Sequence, residues 1–197
     1  MDEKWEKIAR LVEFNWWAKR TKDLGTEEYK KDRENYFFDI IPMFNGKFVP
    51  KGDIINIGTG LMSIFEFIKI DGRKVEVDPL IDDYCHLSPS EAFEARKSTS
   101  GLEDKSFDTV LCLNTIDHTS EPEKMVSEMH RVMKDDGTLY LEVNFDRYTS
   151  PAHYQVFSKE TVQKLFGSKF KIIFESMNKD CGRLKNWDEY YAIMVKA

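Results

Sequence analysis

The first part of the chain has an apolar pattern that is typical of helices. Apolar side chains recur there at helical spacing with charged residues between them: Trp5, Ile8, Leu11, Val12 and, less regularly, Trp16. We predict a first helix that ends near Gly25. A second helix is predicted to begin at Thr26, which two glutamates follow, and to end at about Ile41, before Pro42.

From residue 53 onward, apolar runs of strand length alternate with helical patterns. Strands are predicted at Asp53–Ile57, Lys74–Val77, Thr109–Leu113, Thr138–Val143, Phe170–Phe174 and Tyr190–Val195. Helices are predicted at Leu61–Ile70, around Ser90–Arg96, at Glu121–Met133 and from Ser158 to about Gly167. Repeated strand–helix–strand units predict an α/β fold with a doubly wound, mostly parallel sheet. Only a loop separates the last two strands, so we predict a C-terminal antiparallel hairpin.

The two patterns divide the chain into two predicted parts. Residues 1–49 are predicted to form an N-terminal helical cap or lid, and residues 50–197 one compact domain. Several aromatic side chains of the first part either form a lid over a ligand or cover one face of the sheet: Trp16, Trp17, Tyr36, Phe37 and Phe38.

Composition narrows the class of protein. The 197 residues are 41% hydrophobic, which is enough for a core, and the net charge of −6 argues against a dedicated nucleic-acid partner. No apolar run reaches the roughly 20 residues of a membrane span, and the start of the chain has no apolar signal segment. We therefore predict a cytoplasmic protein without a membrane partner. The oligomeric state is not predicted from these features.

The cysteines predict neither disulfides nor a metal site. Cys85, Cys112 and Cys181 are widely spaced and contain no Cys-x-x-Cys pair, which favours free thiols. Cys85 and His86 are adjacent, which is poor geometry for a closed zinc site, and a second ligand pair is missing.

A glycine loop and an aspartate follow the first two predicted strands. Gly58-Thr59-Gly60 after the first strand indicates either a tight turn or a loop that brings backbone N–H groups close to a ligand. Asp78 ends the second strand before Pro79, as a turn residue or as an acceptor for the two hydroxyl groups of a ribose. Both positions belong to the sheet edge at which ligands bind in open α/β sheets.

Polar residues also follow two later strands. Asn114, Asp117 and His118 come after Thr109–Leu113, and His153 comes after Thr138–Val143. An imidazole titrates near neutral pH, so His118 is a candidate general base, although it is equally a candidate for ordering its loop. His153 either faces a substrate or packs at the surface.

The segment Lys105–Val143 carries a resemblance to a known family. Its pattern is a Ser-Phe-Asp strand, an Asp-His loop, a helix ending in His-Arg-Val and a Lys-containing glycine turn before the next strand. This order resembles the class I S-adenosylmethionine-dependent methyltransferases, in particular those that act on small molecules. The resemblance implies a Rossmann-like methyltransferase fold, an S-adenosylmethionine cofactor and a small-molecule or sugar-like acceptor.

The same resemblance implies roles for individual residues. The cofactor contacts are expected from Asn56, Gly58, Thr59, Gly60, Asp78 and Asn114, and His118 and His153 are expected on the acceptor side.

Three departures from the family pattern leave a second interpretation open. Asn56 replaces an acidic residue, Met62 replaces a glycine, and the usual acid before the Ser-Phe-Asp strand is missing, with Glu94 and Glu103 as the nearest candidates. The alternative is a non-catalytic, methyltransferase-like binding or regulatory protein with a degenerate cofactor loop.

Overall fold

The computed structural model describes residues 3–23, 26–87, 93–145, 149–150, 152–181 and 187–197. Its helices are α1 (Glu3–Asp23), α2 (Thr26–Met43), α3 (Ile81–Leu87), α4 (Pro122–Val132) and α5 (Lys159–Phe166). Its strands are β1 (Ile54–Ile57), β2 (Lys74–Val77), β3 (Glu94–Arg96), β4 (Phe107–Leu113), β5 (Met133–Phe145), β6 (Phe170–Cys181) and β7 (Trp187–Lys196).

The seven strands form one sheet in the order β3-β2-β1-β4-β5-β7-β6. The first five of these pair in parallel, whereas β7 pairs antiparallel with both β5 and β6. This confirms the predicted doubly wound, mostly parallel sheet with an antiparallel hairpin at its C-terminal side. The carboxyl ends of β1, β2, β4 and β5 consequently share one edge.

Both faces of the sheet are covered because successive strand residues point to opposite sides. On one face, Val110 and Leu141 belong to a core that includes buried side chains of α4 and α5. On the other face, Leu111 and Tyr140 pack with side chains of α2, among them Phe37. Each fully buried aliphatic or aromatic side chain of this kind contributes about 1.5–3 kcal/mol through removal from water.

Helices α2, α4 and α5 begin within one residue of their predicted starts, whereas α3 was not predicted. Pro122 occupies the first turn of α4, where a missing N–H costs nothing, and Val126 and Met129 are among its buried residues. Ser158 caps α5, since its Oγ accepts a hydrogen bond from the N–H of Thr161 at 3.3 Å.

Helix α1 turns a different face inward than its apolar pattern suggests. Leu11 is 59% exposed and Val12 is 42% exposed, whereas Ala9 and Trp17 are buried. Among the described residues, no helix is at once long and apolar enough to cross a membrane. The division of the chain at residue 50 stays a prediction.

Two predicted helices are wrong where the structure describes them. Within Leu61–Ile70, only a short 3-10 turn forms, at Ile64–Glu66. Neighbouring apolar residues there enter different clusters, Leu61 on the side of α1 and Ile64 on the side of α2, which one continuous helix face cannot do. The last part of Ser90–Arg96 is strand β3, and residues 88–92 lie outside the described residues.

Four strands, β4 to β7, are longer than predicted, and β4 begins at Phe107 rather than Thr109. Strand β5 begins at Met133, so the predicted Asp-Asp-Gly turn is an irregularity inside the strand, where pairing with β4 shifts from Phe107↔Met133 to Thr109↔Thr138. Strands β6 and β7 also extend beyond their predicted limits. The extra length of β6 and β7 comes from the hairpin that they form, in which each strand supplies hydrogen-bond partners to the other.

Candidate active site

The glycine loop, defined as Gly58, Thr59 and Gly60, lies at the edge where the parallel strands end. The N–H of Gly58 donates to the carbonyl oxygen of Val77 at 2.7 Å, which ties the loop to β2. Gly58 has a φ of +82°, a conformation that costs glycine little. A Cβ at Gly58 would overlap the side chain of Thr115, in the loop after β4. The loops after β1 and β4 therefore touch because this residue is glycine.

Asp78 directly follows β2 and is buried against the glycine loop. Its Oδ2 accepts a hydrogen bond from the N–H of Gly60 at 3.2 Å, and its Oδ1 accepts one from the N–H of Leu80 at 2.9 Å. Burial raises the pKa of Asp78 to about 6. Each carboxylate oxygen keeps a second acceptor position, so two vicinal hydroxyl groups fit this carboxylate chemically. Its role in ribose binding stays a prediction.

A buried glutamate lies beside Asn56 and was missed by the sequence reasoning. Asn56 and Glu76 are neighbours in the register of β1 and β2, and Asn56 Nδ2 donates to Glu76 Oε2 at 2.8 Å. The hydroxyl of Ser63 donates to the other carboxyl oxygen. Burial raises the pKa of Glu76 to about 8, so the group is protonated at neutral pH. The signal that could have found it is its spacing from Asp78, since residues two apart on a strand share a face.

Asn114 follows β4 and is held by the neighbouring strand. It has a φ of +50°, which asparagine tolerates better than most residues. Asn144 Nδ2 donates to Asn114 Oδ1 at 2.6 Å, and the Asn114 N–H donates to the carbonyl oxygen of Glu142 at 2.9 Å. The structure therefore gives Asn114 a role in joining the ends of β4 and β5, and a cofactor contact from it stays a prediction.

Helix α1 covers the glycine loop through Trp17. The indole atom Cζ2 lies 3.3 Å from the place that a Cβ at Gly60 would occupy. Trp17 packs in a buried cluster that includes Met62, the residue at the position where the family often has glycine. The indole N–H donates to Glu13 Oε1 at 2.7 Å. The glycine loop thus has an aromatic wall that comes from outside the sheet.

Asp117, His118 and His153, here called the histidine cluster, meet beyond the end of β4. Asp117 is 1% exposed. His118 Nε2 lies 3.8 Å from Asp117 Oδ1, and His153 Nε2 lies 3.9 Å from Asp117 Oδ2. The two imidazole rings have their centroids 4.3 Å apart. The fold therefore brings together the two histidines that the sequence placed on the acceptor side.

Local backbone contacts hold the histidine cluster in place. The N–H of Tyr154 donates to the carbonyl oxygen of Asp117 at 2.8 Å, which fastens the segment after β5 to the loop after β4. Ser150 and His153 exchange backbone hydrogen bonds at 2.9 and 3.0 Å, and Ser150 Oγ lies 2.9 Å from His153 Nδ1. The position of His153 thus depends on its own turn with Ser150 and on one bond that is distant in sequence, from Tyr154 to Asp117.

Several residues of the family-like segment have structural roles. The Arg131 guanidinium donates to the carbonyl oxygen of Leu102 at 2.7 Å and to Asp104 Oδ1 at 2.7 Å, which joins α4 to the loop before β4. Lys134 Nζ donates to Asp108 Oδ2 at 2.8 Å, and the same oxygen accepts from the Asp53 N–H. These bonds join the strand, the helix and the turn of this segment to one another.

The two candidates for the missing acid have different surroundings. Glu94 lies on β3 and accepts a hydrogen bond from Arg73 at 2.7 Å, and this bond lowers the pKa of Glu94. Glu103 is exposed in the loop before β4. Neither glutamate is a buried acid that could accept a hydrogen bond from an adenine amino group.

Comparisons with known proteins agree with this geometry. A family model described as a methyltransferase domain matches residues 68–141. A search among curated proteins finds no match.

Solved structures with the same fold come from several organisms. The PH0226 protein from Pyrococcus horikoshii OT3 has 17% identity and a TM-score of 0.62, over 89% of this chain and 94% of that one. The complex of the Haloferax volcanii Trm112 methyltransferase activator with a proposed methyltransferase gives 15% identity and a TM-score of 0.67, over 93% and 96% of the two chains.

A third similar structure contains the cofactor. Phosphoethanolamine N-methyltransferase 2 from Haemonchus contortus, in complex with S-adenosyl-L-methionine, has 12% identity and a TM-score of 0.60, over 82% of this chain and 52% of that one. The sequence predicts a methyltransferase that uses S-adenosylmethionine, and the domain match and this cofactor complex agree with that enzyme class and that cofactor. Residues 68–141 thus match the methyltransferase domain that the sequence predicts, and the chain shares the fold of a solved S-adenosyl-L-methionine complex of a methyltransferase.

Proposed function

We propose that this protein transfers a methyl group from S-adenosylmethionine to a small-molecule or sugar-like acceptor. The observation that carries the proposal is the meeting of Gly58, Gly60 and Asp78 at one sheet edge, directly beside the loop after β4. The histidine cluster lies beyond the end of that same strand, β4. A donor and an acceptor bound on these two sides would be neighbours.

The residues at this edge suit the cofactor chemically. The two glycines put no side chain at the loop surface, although the N–H groups of Gly58 and Gly60 already donate to Val77 and Asp78. The Asp78 carboxylate keeps acceptor positions for two ribose hydroxyl groups. When bound, S-adenosylmethionine supplies a methyl group on a positively charged sulfur. In this proposal, Thr59 contacts the cofactor as part of the glycine loop, Asn56 supports the loop from the β1 side, and Asn114 limits the site on the β4 side.

The contribution of the protein to the reaction is mainly alignment. Holding two reactants in line contributes about 7–11 kcal/mol to lowering a barrier in favourable cases, without side-chain chemistry. We assign His118 and His153 to the acceptor side because they follow β4 and β5 at the same edge. A small acceptor agrees with the Haemonchus contortus enzyme, which has also been solved with phosphomonomethylethanolamine and S-adenosylhomocysteine.

Helix α1 is assigned as a lid in the same proposal. Trp17 covers Gly60 and is linked through Glu13 to the histidine cluster, since Glu13 Oε2 lies 3.7 Å from His118 Nδ1. Residues from α1 thus contact both sides of the site. The cytoplasmic location stays a prediction of the sequence.

Calorimetric titration of the full chain with S-adenosylmethionine and S-adenosylhomocysteine tests the proposal. We expect one binding site, and Asp78→Asn should weaken both ligands at least about tenfold, the size of a lost hydrogen bond to a charged group. Asp82→Asn is the matched control, since Asp82 is exposed on α3 and pairs with Lys97 at the surface. It should leave both affinities unchanged.

The result that overturns the proposal is a folded wild-type protein that binds neither ligand at millimolar concentration. That outcome favours the non-catalytic, methyltransferase-like alternative. Thermal melting of both variants shows whether a lost affinity comes from a lost fold.

A further inference from the structure

We propose that Asp117, His118 and His153 form a binding site for a divalent transition-metal ion. The three side chains offer one carboxylate oxygen and two imidazole nitrogens, and these ligand atoms all lie within 4.8 Å of one another. No metal site was predicted from the sequence, in which His153 is distant from the other two residues.

The spacing of the ligand atoms suits a shared ion better than direct hydrogen bonds. Both Nε2 atoms face the Asp117 carboxylate, at 3.8 and 3.9 Å, which is longer than a hydrogen bond. With metal–ligand bonds of about 2.1 Å, neighbouring ligands of a tetrahedral ion lie about 3.4 Å apart. The two nitrogen–oxygen pairs must shorten by a few tenths of an ångström to hold an ion, and ligand atoms as far as 4.8 Å apart must approach by up to about 1.4 Å.

The outer contacts of the two histidines support the same assignment. Metal-binding histidines usually have their second ring nitrogen engaged by an oxygen, which orients the ring. His153 Nδ1 lies at hydrogen-bond distance, 2.9 Å, from Ser150 Oγ, whereas His118 Nδ1 only faces Glu13 Oε2 at 3.7 Å, beyond hydrogen-bond distance. Both rings are thus arranged with Nε2 toward the carboxylate and Nδ1 toward an outer oxygen.

The ligand types and the burial indicate the class of ion. Two imidazoles and one carboxylate suit Zn²⁺, Fe²⁺, Co²⁺ or Mn²⁺, whereas Mg²⁺ and Ca²⁺ prefer oxygen ligands throughout. Asp117 is 1% exposed, and a buried carboxylate gains from a nearby positive charge.

Three protein ligands leave coordination positions for another group. We infer that an oxygen or nitrogen of the acceptor takes one of them, which would hold the acceptor beside the glycine loop. This extension rests on the proposed methyl transfer. Binding of the ion itself does not, and it is therefore tested without the cofactor.

The experiment titrates chelator-treated full-length protein with Zn²⁺ by calorimetry and with Co²⁺ by visible spectroscopy. We expect one ion per chain and, for Co²⁺, the absorption of a site with nitrogen and oxygen ligands. Asp117→Asn and His153→Gln should each weaken binding more than about 100-fold, and Ser150→Ala, which removes an outer contact, about tenfold.

His130→Gln is the matched control. His130 is a histidine of α4 whose ring packs on Phe170, outside the cluster, so this variant should bind the ion as the wild type does. His118→Gln serves as a second ligand variant if Asp117→Asn does not fold, because the His118 side chain is partly exposed. The proposal is overturned if the folded wild type binds no ion at one per chain, or if the ligand variants bind it as tightly as His130→Gln.

Discussion

The two sides of the ligand edge differ in how their polar groups are satisfied. At the glycine loop, Asp78 and Glu76 each accept two short hydrogen bonds from the protein itself. In the histidine cluster, Asp117 faces two imidazoles at 3.8 and 3.9 Å. On one side the carboxyl groups are held by hydrogen bonds, and on the other the carboxylate and the two imidazoles lie beyond hydrogen-bond distance of one another.

This difference separates scaffold from chemistry. The hydrogen bonds at the glycine loop hold its backbone and the Asp78 carboxylate in one geometry before any ligand binds, and they require the burial of two acidic groups, Glu76 and Asp78. Groups that face one another beyond hydrogen-bond distance gain most when something enters between them. We therefore expect changes at Gly58 and Glu76 to appear in stability and changes in the histidine cluster to appear in binding.

The largest effect should come from breaking the glycine loop. Gly58→Ala adds a strained positive φ and an overlap with Thr115, and we expect a loss of about 3 kcal/mol in the free energy of unfolding. Urea denaturation measures it. Gly101→Ala is the control, since Gly101 has a φ of +77° with nothing near its missing Cβ, and should cost about 1 kcal/mol. Equal losses would show that the contact with Thr115 does not matter.

A smaller effect should come from the proton on Glu76. Its pKa is raised to about 8 in the folded protein, so at neutral pH the folded state holds a proton that the unfolded state has lost. Stability therefore falls as pH rises, by about 1.4 kcal/mol per pH unit from this group between pH 6.5 and 7.5. Glu76→Gln should remove that slope in denaturation curves measured across this range.

The matched control for this slope is Glu103→Gln. Glu103 is exposed in the loop before β4, so its charge stays in water and the wild-type slope should persist. The burial argument for Glu76 fails if the Glu76→Gln protein keeps the slope of the wild type.

The smallest effect should come from the hydroxyl that joins the two sides. Thr115 Oγ1 lies 3.1 Å from the carbonyl oxygen of Gly58 and 2.9 Å from that of Leu113. Thr115→Val keeps the shape and removes the donor, which should cost about 1 kcal/mol in thermal or urea unfolding. Thr119→Val removes a hydroxyl from an exposed turn, where it accepts from the Glu121 N–H, and should cost less. A larger loss for Thr119→Val would mean that the two sides are not coupled through this bond.

Features that depend on neighbours in the chain could be predicted from the sequence. The order of β4, its loop and α4, the glycine loop after β1, and Asp78 after β2 all follow from local patterns. The helix predicted over Leu61–Ile70 was wrong because its apolar residues are divided between two cores, and a sequence pattern does not reveal which core each side chain enters.

Features that depend on pairing between distant residues could not be predicted. Glu76 appears in sequence as an ordinary charged residue of a short strand, and only the register with Asn56 buries it. The meeting of His153 with Asp117 depends on the backbone bond from Tyr154, which no local pattern indicates. Within the part of the chain that the structure describes, the contacts of the candidate site are thus harder to predict from the sequence than the fold is.

The strand order has a consequence for how the chain assembles during synthesis. Strand β7 lies between β5 and β6, although β6 is made first. A ribosome therefore releases β6 before its partner strand exists. Strand β6 joins the sheet only after β7 has been made, because β7 pairs with β5 on one side and with β6 on the other. The strands that carry the glycine loop and Asp117 precede this step, so the ligand edge can form while the last hairpin is still incomplete.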